Sequence, residues 1–231
     1  MSHATDHPTA TRRHAILAAA GFVLAGALAA CGGSARKAAT TARGSPASAC
    51  VLTPEATPGP YYIPNHLTRR DITEKRPGLP LVLDLTVQDA STCKPIAGAD
   101  VEIWHASAKG VYSDVQGNTR HFLRGHQKTN SHGLAIFRTI YPGWYMGRAP
   151  HIHLKVHVGG SVVHTGQLFF DDRTSSAVYA TSAYRAHGQA DTTNASDGIY
   201  AAAGGSKSRL DLAKRRTGGG YVGAIALGVR S

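Results

Sequence analysis

Residues 148–158 read RAPHIHLKVHV. In an extended chain, successive side chains face opposite ways. His151, His153, Lys155 and His157 then share one face, and Ile152, Leu154, Val156 and Val158 share the other. The apolar face predicts a strand packed on a core. The other face carries three imidazoles, and imidazole is the commonest protein metal ligand. His151 and His153, two residues apart on a strand, stand close enough to chelate one ion. The H-x-H pair alone also serves zinc and copper sites on β-sandwiches. Two tyrosines stand near predicted strand ends or turns: Tyr112 in VEIWHASAKGVYSDV and Tyr145 in FRTIYPGWYMGRAPHIH, where Tyr141 competes with it. His105, His157 and His164 are isolated, and are read as surface groups or as neighbours of ligands.

These groups need a rigid frame. From residue 80 the chain is strand-like: LPLVLDLTVQD alternates around Leu81, Leu83, Leu85 and Val87. ADVEIWHA, GVYSDV, RHFLRGHQKT, GLAIFRTI, HIHLKVHV, SVVHTGQLFFDD and YVGAIALGV follow, with Gly, Asn, Asp or Pro between most of them. Short strands at close spacing, without βαβ alternation, predict a mainly β protein, an antiparallel β-sandwich. SAVYATSAYRAHG is the one helical candidate, and no internal repeat is present.

The N-terminal thirty residues read as an export signal: Arg12 and Arg13 precede an apolar run from Ala15 to Ala30, too short for a comfortable membrane span. The adjacent arginines suggest twin-arginine export, with Sec export as the alternative. Leu28-Ala29-Ala30-Cys31 resembles a bacterial lipobox, so Cys31 is the expected lipidation site and the only expected membrane contact. Residues 31–49, rich in Gly, Ala, Ser and Thr, predict a flexible linker, and 50–231 the folded domain. In an oxidising compartment Cys50 and Cys93 are expected to pair. The net charge of +11 comes without a helix-turn-helix, an RNP motif or a paired-Cys finger, so no nucleic-acid partner is expected.

Taken in order, LTPEATPGPYYIP, RRDITE, LDLTVQDASTCKPIAGADVEIWHASAKGVYSDV, GLAIFRTIYPGWY, RAPHIHLKV and GQLFF resemble the intradiol ring-cleavage dioxygenases, over roughly Leu52 to Asp172. The resemblance implies their prealbumin-like sandwich and a non-haem Fe(III) held by Tyr112, Tyr145, His151 and His153. It also implies catalytic roles for Tyr145, Arg148 and Gln167, and substrate contacts from Gly59, Pro60 and Tyr61. The implied reaction takes a catechol-type substrate and O2 and cuts the ring between the hydroxyl-bearing carbons to a cis,cis-muconate. Phenolate oxygen is a hard donor suited to a hard ferric ion, and a nearby cation favours the anion of a phenol whose ordinary pKa is about 10. The five residues between Tyr145 and His151 make a shorter loop than is usual in that family, which implies a more open site. A zinc or copper enzyme built on the His pair, and a non-catalytic transthyretin-like surface module, are the other readings.

Overall fold

A computed structural model describes residues 50–65, 67–115 and 121–231, which lie in one compact unit. The export signal, Cys31 and the linker lie outside the described residues. Among the described residues eight strands form two sheets. The first has β4 (Leu134–Ile140), β1 (Pro80–Asp89), β8 (Tyr221–Val229) and β7 (Asp211–Lys214) in that order. The second has β3 (Arg124–Lys128), β2 (Asp100–Trp104), β5 (His151–Val158) and β6 (Ser161–Phe169).

The alternation in β1 buries Leu81, Leu83, Leu85 and Val87 against Val101, Ile103, Ile152, Leu154 and Val156 of the other sheet. Each such side chain contributes about 1.5–3 kcal/mol by leaving water, so the pattern sets which face of each strand points inward. Among these eight described strands the pairings are antiparallel except that of β1 with β8, which is parallel. Strand β7, inside the basic stretch KSRLDLAKRR, has no sequence signal beyond four residues, and its pairing with β8 makes it a strand. GVYSDV is a turn, not a strand, because Gly110 and Asp114 sit in the left-handed region. The helix α1 (Asp172–Tyr179) starts earlier than SAVYATSAYRAHG and ends within it; Asp171 caps it by accepting from Thr174 N. A second short helix, α2 (Gly198–Ala202), follows.

The segment before β1 wraps both sheets. Leu52 bridges to Gly228, Ala56 N donates to Thr165 O at 2.9 Å, Thr68 bridges to His126 and Asp71 to Arg138. It crosses the outer face of β2 and β5, the face that carries the histidines. The half-buried face expected for the histidines is therefore covered at His151 and His153, which are buried, while Lys155 and His157 further along it are partly buried.

Candidate metal centre

Four side chains from three parts of the chain converge on that covered face. The Tyr145 hydroxyl lies 3.1 Å from His151 Nε2, His151 Nε2 lies 3.0 Å from His153 Nε2, and His153 Nε2 lies 3.1 Å from the Tyr112 hydroxyl.

Strand β5 supplies both imidazoles, as its period of two requires. His151 Nδ1 donates to Ala149 O at 2.7 Å, so its Nε2 is a bare lone pair directed at the other donors. His153 is registered between Trp104 on β2 and Gln167 on β6. Its ring stacks on Trp104, with centroids 5.0 Å apart and planes 3° from parallel.

Tyr112 is placed by the turn after β2. Buried Arg124 on β3 donates from Nε to Ser113 Oγ at 2.9 Å and from Nη2 to Ser113 O at 2.8 Å, fixing the residue next to Tyr112. Gly110 allows the turn to reach the neighbouring loop: a Cβ there would sit 2.2 Å from Trp144 O, and φ is +72°. That close approach brings the Tyr112 turn against the loop that carries Tyr145.

Tyr145 projects from the loop between β4 and β5. Trp144 anchors it, donating from Nε1 to Gly188 O at 3.0 Å and accepting at its own carbonyl from His187 Nε2 at 2.8 Å. The competing Tyr141 lies in the core, its hydroxyl 2.7 Å from Ser175 Oγ, away from the four donors.

Arg148 is no free loop cation. Its Nε meets Asp197 Oδ2 at 2.9 Å, its Nη1 donates to the Tyr145 hydroxyl at 3.3 Å and its Nη2 to Gln167 Oε1 at 2.6 Å. Gln167 Nε2 donates in turn to Thr57 O at 2.9 Å, tying this cluster to the covering segment. A Cβ on Gly59 would come within 3.0 Å of His153 Cε1. Tyr61 stacks on Tyr112 with centroids 4.4 Å apart and meets Tyr145 edge-on at 5.7 Å, while neighbouring Pro60 is exposed.

The rest of the histidine face answers the question its pattern raised. Lys155 Nζ sits 3.3 Å from the centre of the Tyr62 ring, and His157 Nε2 faces the buried Glu102 carboxylate at 3.6 Å. His105 and His164 are buried rather than superficial. His105 donates from Nδ1 to Ala106 O and, neutral, accepts at Nε2 from Thr139 Oγ1.

In the protein alone this site favours neutral groups. Burial pushes the Tyr112 phenol well up, and the adjacent Tyr145 adds to the effect. Burial raises Tyr145 too, with Arg148 pulling the other way. Burial and Arg148 hold His151 down at about 3, and burial and His151 hold His153 well below the usual imidazole range. Two phenol oxygens and two imidazole Nε2 atoms form a donor set that a hard cation fits; cationic charge reverses the cost of ionising the phenols. Among the described residues no group of three or more His, Cys, Asp or Glu stands ready to hold a metal, and the oxygen donors beside the His pair are the hydroxyls of Tyr112 and Tyr145.

Three members of this arrangement escaped the sequence reading. Trp104 and Arg124 share a cross-strand row with His153 and Gln167, a signal that only the register reveals. Asp197 carries a helix-cap pattern, Asp followed by Gly at a helix start, but nothing local links it to Arg148.

A family model described as Dioxygenase matches residues 57–197, and so spans every residue of this centre. The intradiol ring-cleavage dioxygenase from Tetranychus urticae is 37% identical, superposes with a TM-score of 0.74, and is matched over 78% of this chain and 95% of that one. This chain belongs to the intradiol ring-cleavage dioxygenases. A second similar dioxygenase structure is the dioxygenase domain of a dioxygenase carbohydrate-binding protein fusion from Streptomyces sp. SirexAA-E, at 29% identity and TM-score 0.61 over 78% of this chain and 99% of that one. Catechol 1,2-dioxygenase 1 from Acinetobacter lwoffii is 40% identical over 101 residues, which are 40% of this chain and 32% of that protein. The chain thus matches about a third of the length of that curated relative.

Proposed function

We propose that this dioxygenase is a non-haem ferric enzyme that cleaves catechol-type rings with O2 between the two hydroxyl-bearing carbons, giving cis,cis-muconate-type products. The observation that carries the reading is the arc of Tyr145, His151, His153 and Tyr112 donor atoms at 3.0–3.1 Å spacing with Arg148 held on its edge. Tyr112, Tyr145, His151 and His153 would hold the iron, which when bound supplies Lewis acidity toward the catechol oxygens.

The chain's own groups do the rest. Tyr145 is the ligand best placed to exchange a proton: it is only partly buried, and Arg148 Nη1 stands 3.3 Å from its hydroxyl oxygen. Its phenolate oxygen can take a proton from a catechol hydroxyl as a general base. The Arg148 guanidinium, fixed at Nε and Nη2, offers Nη1 to negative charge that develops as the ring opens. Such preorganised stabilisation is commonly the largest catalytic contribution. Tyr61, stacked on Tyr112, supplies an aromatic wall for a planar ring, and Gly59 lets the covering segment pass His153 without a clash. Met146, next to Tyr145 in the short loop, is 85% exposed and so does not cover the centre. The zinc or copper alternative, built on the His pair alone, leaves the converging phenols of Tyr112 and Tyr145 without a role.

The test is spectroscopic and chemical. Protein purified without chelators should be red-brown from tyrosinate-to-iron charge transfer and should convert catechol to cis,cis-muconate. Colourless, iron-free protein that still turns over catechol would sink the metal assignment, and a yellow semialdehyde product would mean cleavage beside the hydroxyls. We further propose that the mature protein begins at Cys31 and is tethered to a membrane by a lipid on that residue. Mass spectrometry of the mature N-terminus decides this, and an unlipidated terminus elsewhere refutes it.

A further inference from the structure

Arg148 has a long, flexible side chain, yet all three of its guanidinium nitrogens are engaged. Two of those contacts, Gln167 and Tyr145, belong to the centre. The third, Asp197, comes from 49 residues further on and is almost completely buried, its side chain 1% exposed.

The two oxygens of this carboxylate do separate work. Oδ1 accepts from Ile199 N at 2.8 Å and Tyr200 N at 3.1 Å, and so caps α2. Oδ2 faces the centre, accepting from Arg148 Nε at 2.9 Å and from Ala149 N at 2.8 Å. Ala149 extends the effect, because the carbonyl of the same residue accepts from His151 Nδ1 at 2.7 Å. One oxygen therefore fixes the guanidinium that meets Tyr145 and the backbone unit that sets the tautomer of His151. Asp191 supports the same loop, its carboxylate accepting from Gly147 N at 3.2 Å.

We propose that Asp197 is a positioning residue of this centre, acting through Arg148 and Ala149 and not only as a helix cap. The proposal rests on the role given to Arg148 above. Held at Nε by Asp197 and at Nη2 by Gln167, the guanidinium is left one direction for Nη1, toward the Tyr145 hydroxyl. Removing Asp197 frees that plane to rotate and leaves a partly buried cation without its anionic partner. The other burden falls on Ala149, whose N–H loses its acceptor and no longer holds the carbonyl at His151. Burial works against the Asp197 charge, but the Ala149 amide and Arg148 outweigh it and hold the carboxyl below its ordinary range.

Asp197→Asn separates the two jobs. Asn caps a helix about as well as Asp, so Oδ1 can still serve α2, while the amide nitrogen would face two donors at Arg148 and Ala149. In the iron-loaded enzyme the expected result is a fall in kcat of about 10–100-fold, the usual range for losing an outer-shell partner. KM should change little, as for an interaction made in the transition state. The charge-transfer band should remain. With Arg148→Ala already present, Asp197→Asn should cost less than it does alone, since the part of its effect that runs through the guanidinium is already gone. In metal-free protein, amide exchange at Ala149 should speed up while Ile199 and Tyr200 stay protected. Unchanged kcat, or losses that multiply in the double variant, would overturn the proposal; so would lost protection at Ile199 and Tyr200 with Ala149 unaffected. If Asp197→Asn does not fold, Asp197→Ser, which also caps helices but cannot reach Arg148 and Ala149 as a carboxylate does, takes the same measurements. If the wild-type iron protein cleaves no catechol, the functional reading fails by itself, and the Ala149 exchange still decides the role of Asp197.

Discussion

At the scale of single residues, the proposed function divides the centre into groups that would hold an ion and groups that would meet the reacting molecule. Tyr112, His151 and His153 are buried and fixed from behind by Ser113, Ala149 and Trp104. Tyr112→Phe or His153→Ala is expected to abolish iron binding or activity, read by metal content and colour. Tyr145 is more accessible, and Tyr145→Phe should keep some iron but bind catechol with an altered spectrum. Arg148→Ala should retain the colour and lose turnover by about 3–4 kcal/mol of barrier, the scale of one preorganised stabiliser of developing charge. Parallel measurement of kcat and the charge-transfer band distinguishes this from loss of metal.

At the scale of elements, the contacts between turns and sheets matter as much as the strands. Gly110 lets the Tyr112 turn touch the backbone of Trp144, and no side chain fits there. Gly110→Ala, at a positive φ and with a backbone clash, should destabilise the domain by more than about 1 kcal/mol and weaken iron binding, measured by thermal unfolding and metal titration. His105 joins the end of β2 to β4 across the sandwich through Thr139 Oγ1 at 2.6 Å. Burial, the largest cause, and Arg124 hold its pKa down at about 4, against the opposing hydrogen bond to Ala106 O. The folded state thus binds this proton less readily than the unfolded chain, whose imidazoles titrate near 6.5. Stability from neutral His105 is complete above about pH 6.5 and is lost as pH falls toward 4. His151 acts in the same direction, down to about 3. Metal-free protein should therefore lose on the order of 1.4 kcal/mol per pH unit for each such imidazole in that window. His105→Gln should remove one proton from the slope, as denaturant unfolding at several pH values would show.

At the scale of the whole molecule, the covering segment is what makes a sheet face into a centre. Cys50 and Cys93, 43 residues apart, are joined by a disulfide that ties the start of this segment to the turn after β1. Closing a loop of that length stabilises a fold by about 4 kcal/mol in the chain-entropy model. Reduction should lower the unfolding midpoint by on the order of 10 °C for a domain of this size. A calorimetric scan with and without reductant measures it. The segment's other anchors, at Gly228, Thr165, His126 and Arg138, span both sheets.

Much of this was legible in the chain itself. The strands came from alternation, which is local: the face a residue occupies follows from covalent geometry with a period of two. The same period puts His151 and His153 on one face whatever the rest of the molecule does. The choice of Tyr145 over Tyr141 came only from family resemblance, since both lie in one loop-forming stretch and nothing local separates them. Tertiary structure alone decided the parallel pairing of β1 with β8, the strand β7, the burial of the histidine face and the meeting of Asp197 with Arg148. Each of these joins residues far apart in the chain. Local patterns specify which face a side chain takes; which distant segment then covers it is settled by the closure of loops and the packing of the whole core.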